Sequence, residues 1–142
     1  MYKCEKNYIM PIYLISGYTD LTQDEFIENY VPQIRLVIKI DPKAHFIISD
    51  HKGCDVLANE FLNLIRADAV VYHKKLHPSR NPGNFPSLAM SGIVNSKHRD
   101  KIMVKFSTHD IMWFRSQTKS GKAKGGHGSS RMNRIIELRN KT

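Results

Sequence analysis

Apolar and polar positions along this chain follow two rhythms: short unbroken apolar runs, and longer stretches with apolar residues three and four apart. Ile12 to Ser16, Ala44 to Ser49 (with Phe46-Ile47-Ile48 at its centre) and Ala69 to His73 are apolar runs with polar flanks, the pattern of strands buried on both faces. Between them, Phe26, Tyr30, Ile34, Val37 and Ile38 keep helical spacing behind a Thr22-Gln23-Asp24-Glu25 capping box, and Pro32 predicts a kink or break in that helix. Leu57, Phe61, Leu64 and Ile65 mark a second helix over Asp55 to Ile65. The rhythm then breaks from Lys75 to Asn95, where Pro78, Pro82, Gly83, Pro86 and Gly92 predict a long loop or lid. Ser96 is placed to cap a short helix from Lys97 to Phe106. Asp110 to Arg115 reads as a fourth strand, and Arg131 to Leu138 as a closing helix.

Strands alternating with helices in this order predict an α/β fold. The expected form is a Rossmann-like three-layer sandwich, with a parallel sheet of at least four strands and helices on both faces. The chain is expected to form a single domain over residues 1–142, with residues 1–10 a loose extension. Ligands of such sheets bind beyond the carboxyl ends of the strands. Ser16-Gly17-Tyr18, the Asp50 to Asp55 connection, the 75–95 loop and the segment after Arg115 all fall there.

That last segment contains Gly125-Gly126-His127-Gly128-Ser129-Ser130, directly ahead of the closing helix. Glycines let a backbone approach a ligand closely, a serine caps the helix, and free N–H groups at a helix start favour an anion. Lys124, Arg131 and Arg134 flank it with positive charge. The sequence reading is therefore a phosphate-bearing ligand at this turn, against the alternative of a solvated glycine and lysine loop.

Composition sharpens this only in part. A formal charge of +9 points to an anionic partner, with a basic tail from Arg115 to Lys141 contributing much of the excess. Cys4 and Cys54 are too few for a disulfide framework, which favours a reducing, cytoplasmic setting. No apolar run approaches the ~20 residues of a membrane helix, so no membrane partner is expected. Ile9 to Ile15 has the apolar character of a signal segment, but no small-residue cleavage site follows and a buried strand accounts for it. His73 and His77 have the spacing of helical zinc ligands, yet Pro78 puts His77 in a loop and no further ligands stand near, so neither metal nor cofactor is expected.

Several of these segments together resemble the SLOG superfamily of Rossmann-like proteins, which includes nucleoside deoxyribosyltransferase-like proteins, LOG-type phosphoribohydrolases and DNA-processing protein A. The resemblance covers roughly residues 12–140. It rests on Ile15-Ser16-Gly17, on Ser49-Asp50-His51-Lys52-Gly53-Cys54-Asp55-Val56-Leu57-Ala58, on Arg99-Asp100 with Met103, on Asp110 to Arg115 and on the glycine turn. It implies a nucleotide at the strand ends. Ser16, Gly17 and Tyr18 would then face the ligand, Gly53 would let the backbone approach it, and Asp50 would lie beside it. Asp55 would cap its helix or bond a sugar hydroxyl, and Gly125, Gly126, Gly128, Ser129 and Ser130 would take the phosphate. Arg115 would leave its strand pointing into the site. Trp113 is a stacking surface or, as aromatics in central strands more often are, core.

The resemblance departs where chemistry is concerned. LOG-type enzymes carry Pro-Gly-Gly-x-Gly-Thr-x-x-Glu at this turn, and here Lys124, Ser129 and Met132 stand at the proline, threonine and glutamate. Asp55 and Asp100 remain as carboxylates for cleaving an N-glycosidic bond, which Arg99-Asp100 serves only if it is not an exposed pair. The leading expectation is thus a nucleotide-binding domain for a phosphorylated nucleoside. An N-glycosidase or deoxyribosyltransferase of nucleoside monophosphates, and a nucleic-acid-binding module, are the alternatives. Relatives often pair, which carries over as an expected homodimer, although no apolar stripe in the sequence marks its interface.

Overall fold

The computed structural model describes residues 10–73, 85–89, 95–115 and 129–141. Its elements are β1 (Ile12–Ile15), α1 (Gln23–Asn29), α2 (Val31–Ile40), β2 (His45–Ser49), α3 (Cys54–Leu64), β3 (Asp68–His73), β4 (Ser87–Ala89), α4 (Ser96–Lys105), β5 (His109–Ile111) and α5 (Ser129–Asn140). The strands form one five-stranded sheet in the order β4-β3-β2-β1-β5, and every pairing is parallel. This is the α/β Rossmann-like arrangement that the alternation predicts.

Strand alternation sorts the core into two layers. Tyr13, Ile15, Phe46, Ile48, Ala69 and Val71 face α1, α2 and α3, packing on Phe26, Ile34, Ala58 and Leu62. Leu14, Ile47 and Tyr72 face the other way, onto Met103 and Val104 of α4 and Ile135 of α5. The connection from β4 through α4 carries the chain from one edge of the sheet to the other, so the order reverses at β1.

Local chemistry sets the boundaries. The Thr22 hydroxyl accepts from Glu25 N at 3.1 Å and Glu25 accepts from Thr22 N at 3.0 Å, the predicted capping box. The helix behind it is two helices, because Pro32 occupies the first turn of α2, where a missing N–H costs nothing. Asn95, not Ser96, caps α4, accepting from His98 N at 2.9 Å. Both Ser129 and Ser130 lie inside the first turn of α5 rather than ahead of it. β5 stops at Ile111, short of the predicted Arg115, since its partner β1 has only Tyr13, Leu14 and Ile15 to offer it. β4 was not predicted: Ser87–Ala89 pairs with Val71, Tyr72 and His73 from within the stretch read as loop.

Candidate functional site

The carboxyl end of β2 is covered by charge. Ser49, Asp50 and His51 leave the strand there, and α3 brings Asp55 back toward them. From the opposite face of the sheet, α4 contributes Arg99 and Asp100, and α5 contributes Arg131 and Arg134. Burial here is deep: Arg99 and Asp100 are 0% exposed, Asp55 is 3% exposed and Arg131 is 8% exposed.

The pairing is continuous across the sheet edge. Arg134 Nη2 donates to Asp100 Oδ2 at 2.6 Å, and Arg131 Nε donates to Asp100 Oδ1 at 2.9 Å. Arg131 also reaches Ser49 Oγ at 3.3 Å and lies 3.8 Å from Asp55 Oδ2. That carboxylate oxygen accepts from Ser49 Oγ and, at 3.2 Å, from His51 N. Arg99 Nη1 donates to Asp50 Oδ1 at 3.3 Å, and its Nη2 meets His51 Nε2. Arg99, Arg131 and Arg134 thus face Asp50, Asp55 and Asp100 in a balanced ionic cap.

Burial and charge set the protonation states. Desolvation first, then the neighbouring Arg131 and Arg99 guanidiniums, push His51 down to about 4. A guanidinium has no lone pair, so His51 Nε2 must accept from Arg99, which requires the neutral ring. Burial raises the Asp55 carboxyl, against the pull of Arg131 and the Ser49 hydroxyl. For Arg131, burial opposes the charge, but Asp55 and Asp100 outweigh it and its affinity for a proton rises.

Beside the cap opens a cleft of about 290 Å³, lined by Ser49, Asp50, His51 and Asp55 on one side and by Val56, Asn59 and Glu60 of α3 with Val71 of β3 on the other. Within the cap, Asp55 Oδ1 and Arg99 Nε are buried without hydrogen-bond partners among the described residues. Buried polar atoms are nearly always paired, so an orphaned acceptor beside a cleft is a place where a ligand donor fits. The polar groups that line the cleft include the Asp55 carboxylate, with one oxygen unpaired among the described residues, the Ser49 hydroxyl and the His51 imidazole.

The predicted site residues divide. Asp50, Asp55, Arg99 and Asp100 come together in the cap, and Arg99-Asp100 is buried rather than an exposed pair. Asp55 does not cap α3; the N-cap is Gly53, and the carboxylate turns back to β2. The crevice at the order reversal, between β1 and β5, is filled by the chain's own side chains. Tyr30 Oη donates to Ser16 O at 2.8 Å and accepts from Trp113 N at 3.1 Å, and Tyr18, fully buried, meets Trp113 edge-on. Trp113, two residues past the end of β5, is half-buried against the core.

Gly17 and Gly53 serve packing. A Cβ on Gly17 would sit 2.7 Å from Cys54 Sγ and closer still to Tyr30 Oη. Gly53 has φ +78°, and a Cβ there would lie 2.5 Å from Tyr18 O. The close approach that Gly53 permits is to the Tyr18–Thr19 backbone, where Cys54 N donates to Tyr18 O at 3.0 Å. Ser16 Oγ is buried without a partner among the described residues.

Arg115 does not reach the cap. Its guanidinium binds Glu25 at 2.9 and 2.8 Å and Asp20 at 3.0 Å, and lies 4.3 Å over the Tyr18 ring. That partner holds the Glu25 carboxyl down to about 2. Gly125, Gly126 and Gly128 lie outside the described residues, as do the 1–9 segment and residues 75–84 and 90–94 of the predicted lid. Ser130 is exposed at the start of α5, and Met132, at the position of the family's glutamate, is buried in the core.

Sequence reasoning missed Ser49 and His51 as members of the cluster. It placed Arg131 and Arg134 as free positive charge for a phosphate, whereas both are bound to Asp100. Their i, i+3 spacing, which puts two arginines on one helix face, was the available signal. Among the described residues no group of three or more His, Cys, Asp or Glu side chains is placed to hold a metal ion, and no helix is long and apolar enough to cross a membrane. No protein-family model, curated protein or solved structure matches the chain.

Proposed function

We propose that this protein binds a phosphorylated nucleoside in the cleft at the carboxyl end of β2, as a SLOG-like nucleotide-binding domain of a reducing, cytoplasmic setting. The observation that carries the reading is Asp55, a lining residue of that cleft whose buried Oδ1 has no partner among the described residues. A ribose or deoxyribose hydroxyl would give this oxygen the donor it lacks, and His51 or Ser49 would orient a second polar group. The phosphate would lie toward the start of α5, where Gly125, Gly126, Gly128, Ser129 and Ser130 precede or open the helix. Helix-start N–H groups favour that charge even with Arg131 and Arg134 already engaged.

One observation favours a catalytic variant of the same reading. Of the two candidate carboxylates, Asp100 has both oxygens taken by Arg134 and Arg131, while Asp55 lines the cleft and has one oxygen without a partner among the described residues. If an N-glycosidic bond is cleaved, Asp55 is the carboxylate that meets the developing positive charge on the sugar.

Thermal shift against nucleoside mono-, di- and triphosphates tests both. A ligand at a hundredfold excess over its Kd stabilises the fold by about 2.7 kcal/mol. A selective shift that Asp55→Asn and Gly128→Glu each abolish, with unliganded melting temperatures retained, supports the site. Chromatography of the same mixtures for free base then separates binding from turnover. No shift at millimolar nucleotide overturns the proposal.

A further inference from the structure

A second concave surface lies outside the site, between the outer faces of α4 and α5. It is a groove of about 720 Å³ with Ile102, Val104 and Leu138 on its floor and Lys101, Lys105 and Lys141 on its rim. Arg139, also on the rim, is held by Asp110 at 3.0 and 2.8 Å. Among the described residues, no carboxylate lines the groove. The three rim lysines are exposed and enter no ion pair among the described residues.

Lys97 extends the rim. Lys97, Lys101 and Lys105 recur every fourth residue on α4, and at 1.5 Å per residue successive lysines stand about 6 Å apart along one helix face. An unneutralised row of this kind is a track for a repeating anion. At its end Phe106 is 50% exposed, with Lys105 Nζ 5.9 Å from its ring centre. The groove shares no lining residue with the ionic cap: Arg99 and Asp100 are buried on the inner side of α4, while His98 and Lys101 on either side of them line the groove.

We propose that the α4–α5 groove binds a single-stranded nucleic acid. Phosphates run along Lys97, Lys101, Lys105 and Lys141, and base faces lie on the Ile102 and Leu138 floor and against Phe106. The apolar floor selects a single strand, because a duplex keeps its base faces stacked inside while an open strand presents them. The repeating cations supply the backbone attraction that needs no sequence.

Fluorescence anisotropy with a labelled oligothymidylate of about sixteen nucleotides tests this on the whole chain. Between about 50 and about 200 mM salt, each phosphate neutralised contributes about −0.7 to the log–log slope, so four lysines predict about −3. Lys101→Glu/Lys105→Glu is expected to weaken binding by about tenfold or more. Lys39→Glu/Lys43→Glu, the same charge change on exposed residues of the opposite face, is expected to change it less than about threefold. Equal losses in the two variants would reduce the effect to net charge and overturn the groove. Absence of binding overturns it too, as does a duplex of the same length binding as tightly. Polyglutamate binding more tightly than the oligonucleotide would reassign the groove to an acidic protein segment. All these variants change exposed lysines, and unchanged melting temperatures confirm the comparison. Retained oligonucleotide binding in Asp55→Asn separates this surface from the nucleotide site.

Discussion

Replacing Asp100 with asparagine keeps its shape and removes one charge from the ionic cap. The aspartate is wholly buried and holds Arg131 at 2.9 Å and Arg134 at 2.6 Å. Hydrogen bonds to charged partners contribute about 1.5–3 kcal/mol each, so two give about 3–6 kcal/mol. The measured cost of breaking a buried pair from one side, about 3–5 kcal/mol, falls in the same range. Most of that cost is the guanidinium of Arg131, left buried with Asp55 3.8 Å away as its remaining counterion. At a urea m-value of about 2 kcal/mol/M, a loss of about 4 kcal/mol lowers the unfolding midpoint by about 2 M. The control is Asp110→Asn at the partly exposed Asp110–Arg139 pair, where Arg139 also donates to Ser107 O at 2.7 Å and Val104 O at 3.0 Å. It should cost about 1 kcal/mol or less. Urea titration followed by Trp113 fluorescence gives both midpoints. Equal losses for the two variants would refute the argument that burial makes Asp100 the keystone of the cap.

Three further outcomes are expected. Arg66 has φ +57° just past α3, is exposed, and forms no ion pair among the described residues, so Arg66→Gly should raise stability by about 1 kcal/mol in the same urea assay. Gly17→Ala should destabilise by about 1–3 kcal/mol, since the added methyl overlaps Tyr30 and Cys54, and Gly17→Ala/Tyr30→Phe should recover part of the loss. His51 is about 4 in the fold against 6.5 unfolded, so the unfolded chain takes up its proton first as pH falls. Its contribution is whole above pH 6.5 and is lost on acidification toward about 4; a wild-type minus His51→Gln stability difference that stays flat across that window would contradict the assignment.

The three central strands and the helices between them were legible because their signals are local: unbroken apolar runs, a capping box, residues at helical spacing. β4 was not, since Ser87-Leu88-Ala89 carries little strand character of its own and owes its form to the pairing with β3. The length of β5 was equally hidden, being set by β1. In the site, Asp50, Asp55, Arg99 and Asp100 were named, but their relation was not. α4 reads as a surface helix because Ser96-Lys97-His98-Arg99-Asp100-Lys101 is almost wholly polar. Only distant partners make it possible to bury Arg99 and Asp100: Asp50 for the first, Arg131 and Arg134 for the second. Gly17 and Gly53 stood at the positions the family resemblance marked, for a reason visible only in three dimensions: the loops after β1 and β2 lie against each other.

The ionic cap also bears on how α5 is held in the fold. α5 shares no strand pairing with the sheet, and by hydrogen-bond ladders alone it would be free to dock and undock as an independent unit. Asp55 and Asp100 oppose this, because undocking α5 takes Arg131 from both carboxylates and Arg134 from Asp100. The arginines of α5 therefore tie it at once to α4 through Asp100 and to α3 through Asp55, so that one helix links the two layers on either side of the sheet.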